Sequence, residues 1–443
     1  MQFFTSPRED LETTALNASM RAVQVYEESA GAMTFDVNEH AEWCASRVQA
    51  PWTIHVREPE SKGTYLKKHT TFLVTEDANN FSVRRRFSDF AWLHSVLKAR
   101  YIGLLIPSMP EKNVLKSEAF IQSRMRGLTL FLQHIVDSPY LRDDLAVTNF
   151  FTKTEDAAWD AAKKEASTME SGGEGHVRWI KRIACRTMPA AIENEIASFK
   201  RQVEQQEKIL SELLLCTKRL TEKSLAHAKD TAHLLTLFNG WTVTETTSPT
   251  TDAELLLALQ STTTVVDGWS QTVRHEPGIY ELILHDSLKY LHQQARDMKD
   301  MLHSRESSIN AAQHAANGPN ATSSSPFGVA GAASSFASRF RSTESSSADP
   351  ELAQRRSKHA SEMIARALLA EEMERFQTSI RVCLGTTVQQ FAFAQAEVTK
   401  KAGTIWRDFV KANVQDRKAL LESTTQILEN VAPSDEVSSA EAY

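Results

Sequence analysis

Apolar and polar positions alternate over three short stretches early in the chain, and each reads as a strand. "WTIHVREP" places Trp52, Ile54 and Val56 on one face, "TTFLVTED" places Phe72 and Val74, and "NNFSVRRR" places Phe81 and Val83. Short polar connections between them predict an antiparallel meander. The period then changes to that of a helix. Phe90, Leu93 and Leu97 fall on one helical face behind Ser88, a candidate N-cap, and "SEAFIQSRMRGLTLFLQHIVDS" restores the period after the proline-broken loop "IPSMP". These elements end near Phe151, predicting an α+β domain with a three-stranded antiparallel sheet and helices over residues 50–152.

Beyond it the chain reads as helix. Residues 155–175 are small and polar, end in "SGGEG", and read as a flexible joint within a 153–190 linker. "HVRWIKRIACRTM" then gives a basic amphipathic helix, with Val177, Trp179, Ile180, Lys181, Arg182 and Ile183 as its notable residues. That helix suits a lipid interface or docking on a neighbouring domain, and Trp179 suits an interfacial anchor or packing. From Ile192 a heptad appears: Ile192, Ile196, Phe199, Val203, Leu210, Leu213 and Leu220 share one register. It is expected to stop around "FNGWTVTETTSPT". A second helix is expected from Asp252 to Ala316, kinked at "EPG", and a third from Glu351 to Glu429 with Phe376, Ile380 and, after a one-residue slip, Phe409 in its stripe. Residues 191–432 thus read as an elongated three-helix coiled-coil region whose stripes need a second chain. Residues 1–49, 317–350 and 433–443 read as disordered tails and an insertion.

Charge narrows the chemistry. The chain of 443 residues carries −6 overall, yet Ala50–Thr152 holds 14 Lys/Arg against 10 Asp/Glu. An anion site therefore belongs in that domain, and the acidic remainder argues against nucleic acid. Four scattered cysteines show no zinc spacing and no disulfide framework. No glycine loop, nucleophile motif or metal-spaced histidine set points to an enzyme, so no catalytic residue, metal or cofactor is expected. The beginning of the sequence has no apolar signal core and no run approaches 18 apolar residues, so a cytosolic protein is expected. Arg86, Lys112 and Arg124 are basic points in three distinct local contexts, with Phe87 beside the first. Convergent cations and an adjacent ring suit a polyphosphorylated polyol headgroup.

The order "RRRFSDF", "IPSMPEK", "FIQSRMRGLTLF" resembles the phox-homology (PX) domain of sorting nexins. The resemblance implies that Arg86 holds the 3-phosphate of phosphatidylinositol 3-phosphate, that Phe87 supports the inositol ring, that Lys112 meets the 1-phosphate and Arg124 the ring hydroxyls, and that Ser88 adds a phosphate contact. It also implies that Ile106 and Met109 dip into the bilayer. Arg84 and Arg85, outside that carry-over, suit general anionic attraction near a membrane surface. The helical region, with "LKYLHQQARDMKDMLHSRE", is similar to a BAR domain, so the whole resembles the PX-BAR sorting nexins of the 4/7/30 type. That family implies a curvature-sensing homodimer or heterodimer with a related nexin, peripheral on the cytosolic face of early endosomes. Lys289, Arg296, Lys299, Arg305, Lys400 and Lys401 suit either a membrane-facing surface or a solvated helix face. A coiled-coil scaffold whose first domain binds protein is the alternative.

Overall fold

The computed structural model describes residues 16–17, 20–21, 24, 36–48, 51–62, 69–110, 118–169, 171–186, 188–250, 252–317, 350–413 and 417–430. In chain order these form α1 (Val37–Val48), β1 (Ile54–Lys62), β2 (His69–Glu76), β3 (Phe81–Arg86), α2 (Phe87–Arg100), α3 (Glu118–Asp137), α4 (Leu145–Thr152), α5 (Asp156–Thr168), α6 (Glu174–Ala184) and α7 (Ile192–Thr247). There follow α8 (Ala253–Val273), α9 (Asp286–Asn317), α10 (Pro350–Ala367), α11 (Met373–Asn413) and α12 (Arg417–Asn430). Helical turns of π type precede α9 at Ile279–His285 and α11 at Leu368–Glu372. The chain divides into two compact units, Met1–Leu215 with Asp286–Gly385, and Cys216–His285 with Thr386–Tyr443.

In the first unit the three predicted strands form one antiparallel sheet in the order β1-β2-β3. Their apolar faces (Ile54, Val56, Phe72, Val74, Val83) close a core with Phe90, Leu93 and Leu97 of α2 and Leu128, Phe131 and Leu132 of α3. Sheet and helices each bury one apolar face, so layering one on the other is the stable solution.

The core does not stop at the predicted domain limits. Residues 1–49 are not tail throughout, because α1 seats Trp43 in the core beside Tyr140, with ring centroids 5.9 Å apart. The flexible joint is also corrected. Trp159 of α5 is buried, and Gly172 and Gly175 lie so close to the Asp144 carboxylate and the Tyr140 carbonyl that a Cβ at either would overlap them. Glycine is used there for close packing, a role that composition cannot distinguish from flexibility.

Helix α7 runs on through "FNGWTVTETT" to Thr247, past its predicted end. The hydroxyls of Thr242, Thr244, Thr246 and Thr247 each donate to the carbonyl four residues back, which satisfies these side chains within the helix. Pro277 stands in a new short helical turn, where its missing N–H costs little, and the chain passes into the π turn instead of bending as one kinked helix. Within the first unit Ile192, Ile196, Phe199, Val203 and Leu210 are buried, as is Phe376, whose ring meets Phe199 at 5.9 Å. These positions pack inside the chain, and Ile380 is half-buried. Leu213 is exposed, as are Leu220, Leu234, Leu237 and Trp241 of the same helix.

In the second unit, the face of α7 that is covered is polar, at Thr217, Ser224 and Thr231. Trp269 of α8 meets Trp406 of α11 at 5.5 Å, and Phe409 is half-buried. The 317–350 insertion, apart from its end residues, and the 433–443 tail lie outside the described residues, as do most of residues 1–35.

Candidate functional site

Strand period decides what the three arginines do. Along β3, Val83 and Arg85 point inward while Arg84 and Arg86 point out. Arg85 is 2% exposed: its guanidinium donates to the carbonyls of Phe150 (2.8 and 3.1 Å), Lys153 (2.5 Å) and Arg84 (3.0 Å) and stacks 4.2 Å over Trp159. Burial pulls its pKa down to about 10, still leaving it charged at neutral pH. The expected membrane-field role for Arg85 is therefore corrected to a structural one. Arg84 is held at the surface by Glu58 and Glu60 of β1, at 3.3 and 3.2 Å.

Arg86 ends the strand with its side chain 49% exposed, and α2 begins at Phe87. The N-cap is thus Arg86 and not Ser88, which is exposed in the first turn. Asp89, buried beneath, accepts the Arg86 backbone N–H at 3.0 Å and lies 3.7 Å from its Nε and 3.4 Å from Lys163 Nζ. A carboxylate in the first helical turn also favours the positive end of the helix dipole. Asp89 fixes where the arginine leaves the sheet.

Across from it, the second turn of α3 presents Arg124. Its guanidinium carbon lies 4.7 Å from the Phe87 ring centre and 4.4 Å from that of Phe120, so the cation is enclosed by two aromatic faces. Partial burial lowers its pKa. Arg124, Phe87 and the neighbouring Arg86 are thereby brought together from α3, α2 and β3. Phe120 was missed as a site residue, although its place four residues before Arg124 puts both on one helix face. Lys112 lies outside the described residues.

Other expectations are corrected. Ile106 is a buried core residue and Met109 packs against the same core, so neither is presented for insertion. The loop is fixed from both sides, by Ser108 Oγ donating to Asp297 of α9 at 2.5 Å and by Gly127 abutting Pro110. Of the two readings of the basic helix, docking holds. Trp179, Ile180 and Ile183 are buried, Trp179 Nε1 donates to the Ile102 carbonyl at 3.0 Å, and Val177 is the one exposed apolar residue within α6, Met188 beyond its end being exposed as well. Arg178 pairs with Glu174 and Glu39, Arg182 donates to the Ala370 carbonyl, and Lys181 is half-buried. The basic residues of α9 divide: Lys299 and Arg305 pair with Glu207 and Glu193 of α7, aligning the two helices, whereas Arg296 is exposed. No described helix is long and apolar enough to cross a membrane.

The PX-domain family model matches residues 73–154. Relatives include the sorting nexin MVP1 of Cryptococcus neoformans var. neoformans, 33% identical over 101 residues (23% of this chain, 16% of the relative). They also include sorting nexin-33 of Xenopus tropicalis, 30% identical over 127 residues (28% and 23%), and the vacuolar protein sorting-associated protein vps5 of Schizosaccharomyces pombe, 34% identical over 110 residues (23% and 19%). The chain thus spans under a quarter of the length of each of these relatives. Among solved structures the fold is similar to that of the SNX-BAR Mvp1 tetramer determined by cryo-EM, with a TM-score of 0.56 and 17% identity, over 81% of this chain and 100% of that one. Residues 73–154 are thus a PX domain similar in sequence to those of sorting nexins, and the long helices that follow it share the fold of a solved SNX-BAR structure.

Proposed function

We propose that this chain is a non-enzymatic adaptor of endosomal sorting that binds phosphatidylinositol 3-phosphate through its PX domain and senses or induces curvature as a BAR-type dimer. The observation that carries the reading is that Arg124 lies over Phe87 beside the half-exposed Arg86, and the reading assigns the headgroup cleft to these three residues. A headgroup phosphate accepts from Arg86, whose guanidinium is anchored by Asp89 yet open to solvent. The Phe87 ring supports the apolar face of the inositol, Arg124 donates to ring hydroxyls, and Ser88 stands within the same helical turn. Lys112 is assigned the 1-phosphate on its motif alone.

Self-association is supported by α7, whose Leu213, Leu220, Leu234, Leu237 and Trp241 are exposed at heptad-compatible spacing. A second copy or a related nexin supplies the cover, and the membrane addressed is the cytosolic face of early endosomes.

The test is co-sedimentation of the full chain with vesicles of phosphatidylcholine with and without phosphatidylinositol 3-phosphate. Wild type is expected to pellet with the phosphoinositide vesicles alone, and Arg86→Ala to lose about tenfold or more in affinity, as removal of a charge-assisted bond predicts. Equal pelleting by Arg86→Ala would overturn the headgroup reading and favour the protein-scaffold alternative.

A further inference from the structure

The π turn Leu368–Glu372 contributes two adjacent glutamates, and both act on the PX domain. Glu371 accepts the Tyr140 hydroxyl at 2.8 Å and lies 3.8 Å from Arg182. Glu372, 1% exposed, accepts the Leu105 backbone N–H at 2.8 Å, and Arg375 bridges the Glu372 carboxylate (3.0 Å) and the Leu105 carbonyl (3.2 Å). Alongside, Gly103, at φ +75°, comes so near Ala367 that a Cβ there would overlap it. Glu372 Oε1 has no hydrogen-bond partner among the described residues. A buried, incompletely satisfied carboxylate costs stability, so it calls for a role other than stabilising the fold.

Position supplies that role. Helix α2 starts in the cleft with Phe87 and ends at Arg100, five residues before Leu105. Helix α3 carries Phe120 and Arg124 in its first two turns and ends at Asp137, three residues before Tyr140. The two helices that bring the cleft together are thus held at their far ends, about 20 Å away along each axis, by neighbouring residues of one turn. Helices transmit displacement as rods, and π turns are recurrent at functional sites.

We infer that Glu371 and Glu372 are positioning residues for the cleft: by gripping Tyr140 and Leu105 they set the separation of α2 and α3, and with it the spacing between Phe87 and Arg124. The inference rests on the headgroup reading for its consequence in binding, and on geometry alone for its consequence at Phe87.

The experiment uses the full chain labelled with 4-fluorophenylalanine, with the Phe87 resonance assigned by its loss in Phe87→Leu. Variants are Glu371→Gln/Glu372→Gln and, as one that deletes only a hydroxyl, Tyr140→Phe. Without lipid, the Phe87 resonance is expected to move in both while the chain stays folded by circular dichroism. Affinity for vesicles containing phosphatidylinositol 3-phosphate is expected to weaken about fivefold or more, the scale of a coupling between distant sites. An unmoved Phe87 resonance in folded Tyr140→Phe overturns the inference, and so does a moved resonance with wild-type affinity. If wild type itself does not bind these vesicles, the headgroup reading falls, and the resonance alone decides whether the π turn positions Phe87.

Discussion

Arg85 and Arg86 are adjacent, identical in chemistry and opposite in consequence. Truncating Arg85 strands two buried carbonyls and removes a stacked cation, so Arg85→Ala is expected to lower unfolding stability by about 2–4 kcal/mol in urea titrations. Arg85→Lys should rescue it poorly, since an ammonium cannot reproduce the planar fork. Vesicle binding per folded molecule is expected to stay unchanged, the reverse of Arg86→Ala. Glu372 predicts a pH effect. Burial pushes its carboxyl up to about 7 from an ordinary 4.5, so the folded state binds the proton more tightly than the unfolded. Its contribution is full below 4.5 and is lost as pH rises through 7. His176 and His359 are pushed down to about 4 by burial and act oppositely, contributing above 6.5 and losing that as pH falls. Measured as the difference between wild type and Glu372→Gln, which cancels the histidines, relative wild-type stability is expected to fall from pH 5 to pH 8. A flat difference would mean that Glu372 is not desolvated in the folded protein.

Among the elements, α6 best shows how one pattern serves two environments. Its apolar stripe and basic flank are those of an interfacial helix, but Trp179 is in the core with its indole N–H bonded to Ile102. Trp179→Ala is expected to cost about 3–5 kcal/mol in unfolding measurements, as for other large core truncations. Val177→Glu, at an exposed position, should change neither stability nor vesicle binding. A loss of vesicle binding by Val177→Glu would restore the membrane role to this helix. The strands and the starts of the long helices were legible because their periods are unambiguous. The close-packed glycines at 172 and 175 were not, since polarity and small size mark loops and tight crossings alike.

For the whole molecule, the exposed leucines of α7 predict the assembly. Leu234→Glu/Leu237→Glu places charge on that face without touching the PX core, and light scattering is expected to fall from an oligomer to the mass of one chain. An unchanged mass would assign self-association to another surface.

What the sequence by itself determined was local and periodic: three strands, the change to helical period, the heptads, and basic residues in separate local contexts of the first domain. These follow from side-chain spacing along one element, which needs no knowledge of what lies opposite. Tertiary structure alone decided which arginine is buried, that Phe120 and Phe87 both lie against Arg124, that Ile106 and Trp179 are core, and that a turn 231 residues downstream of Tyr140 reaches back to it. Those outcomes depend on the partner across the interface, and an amphipathic stripe states only that a partner is required.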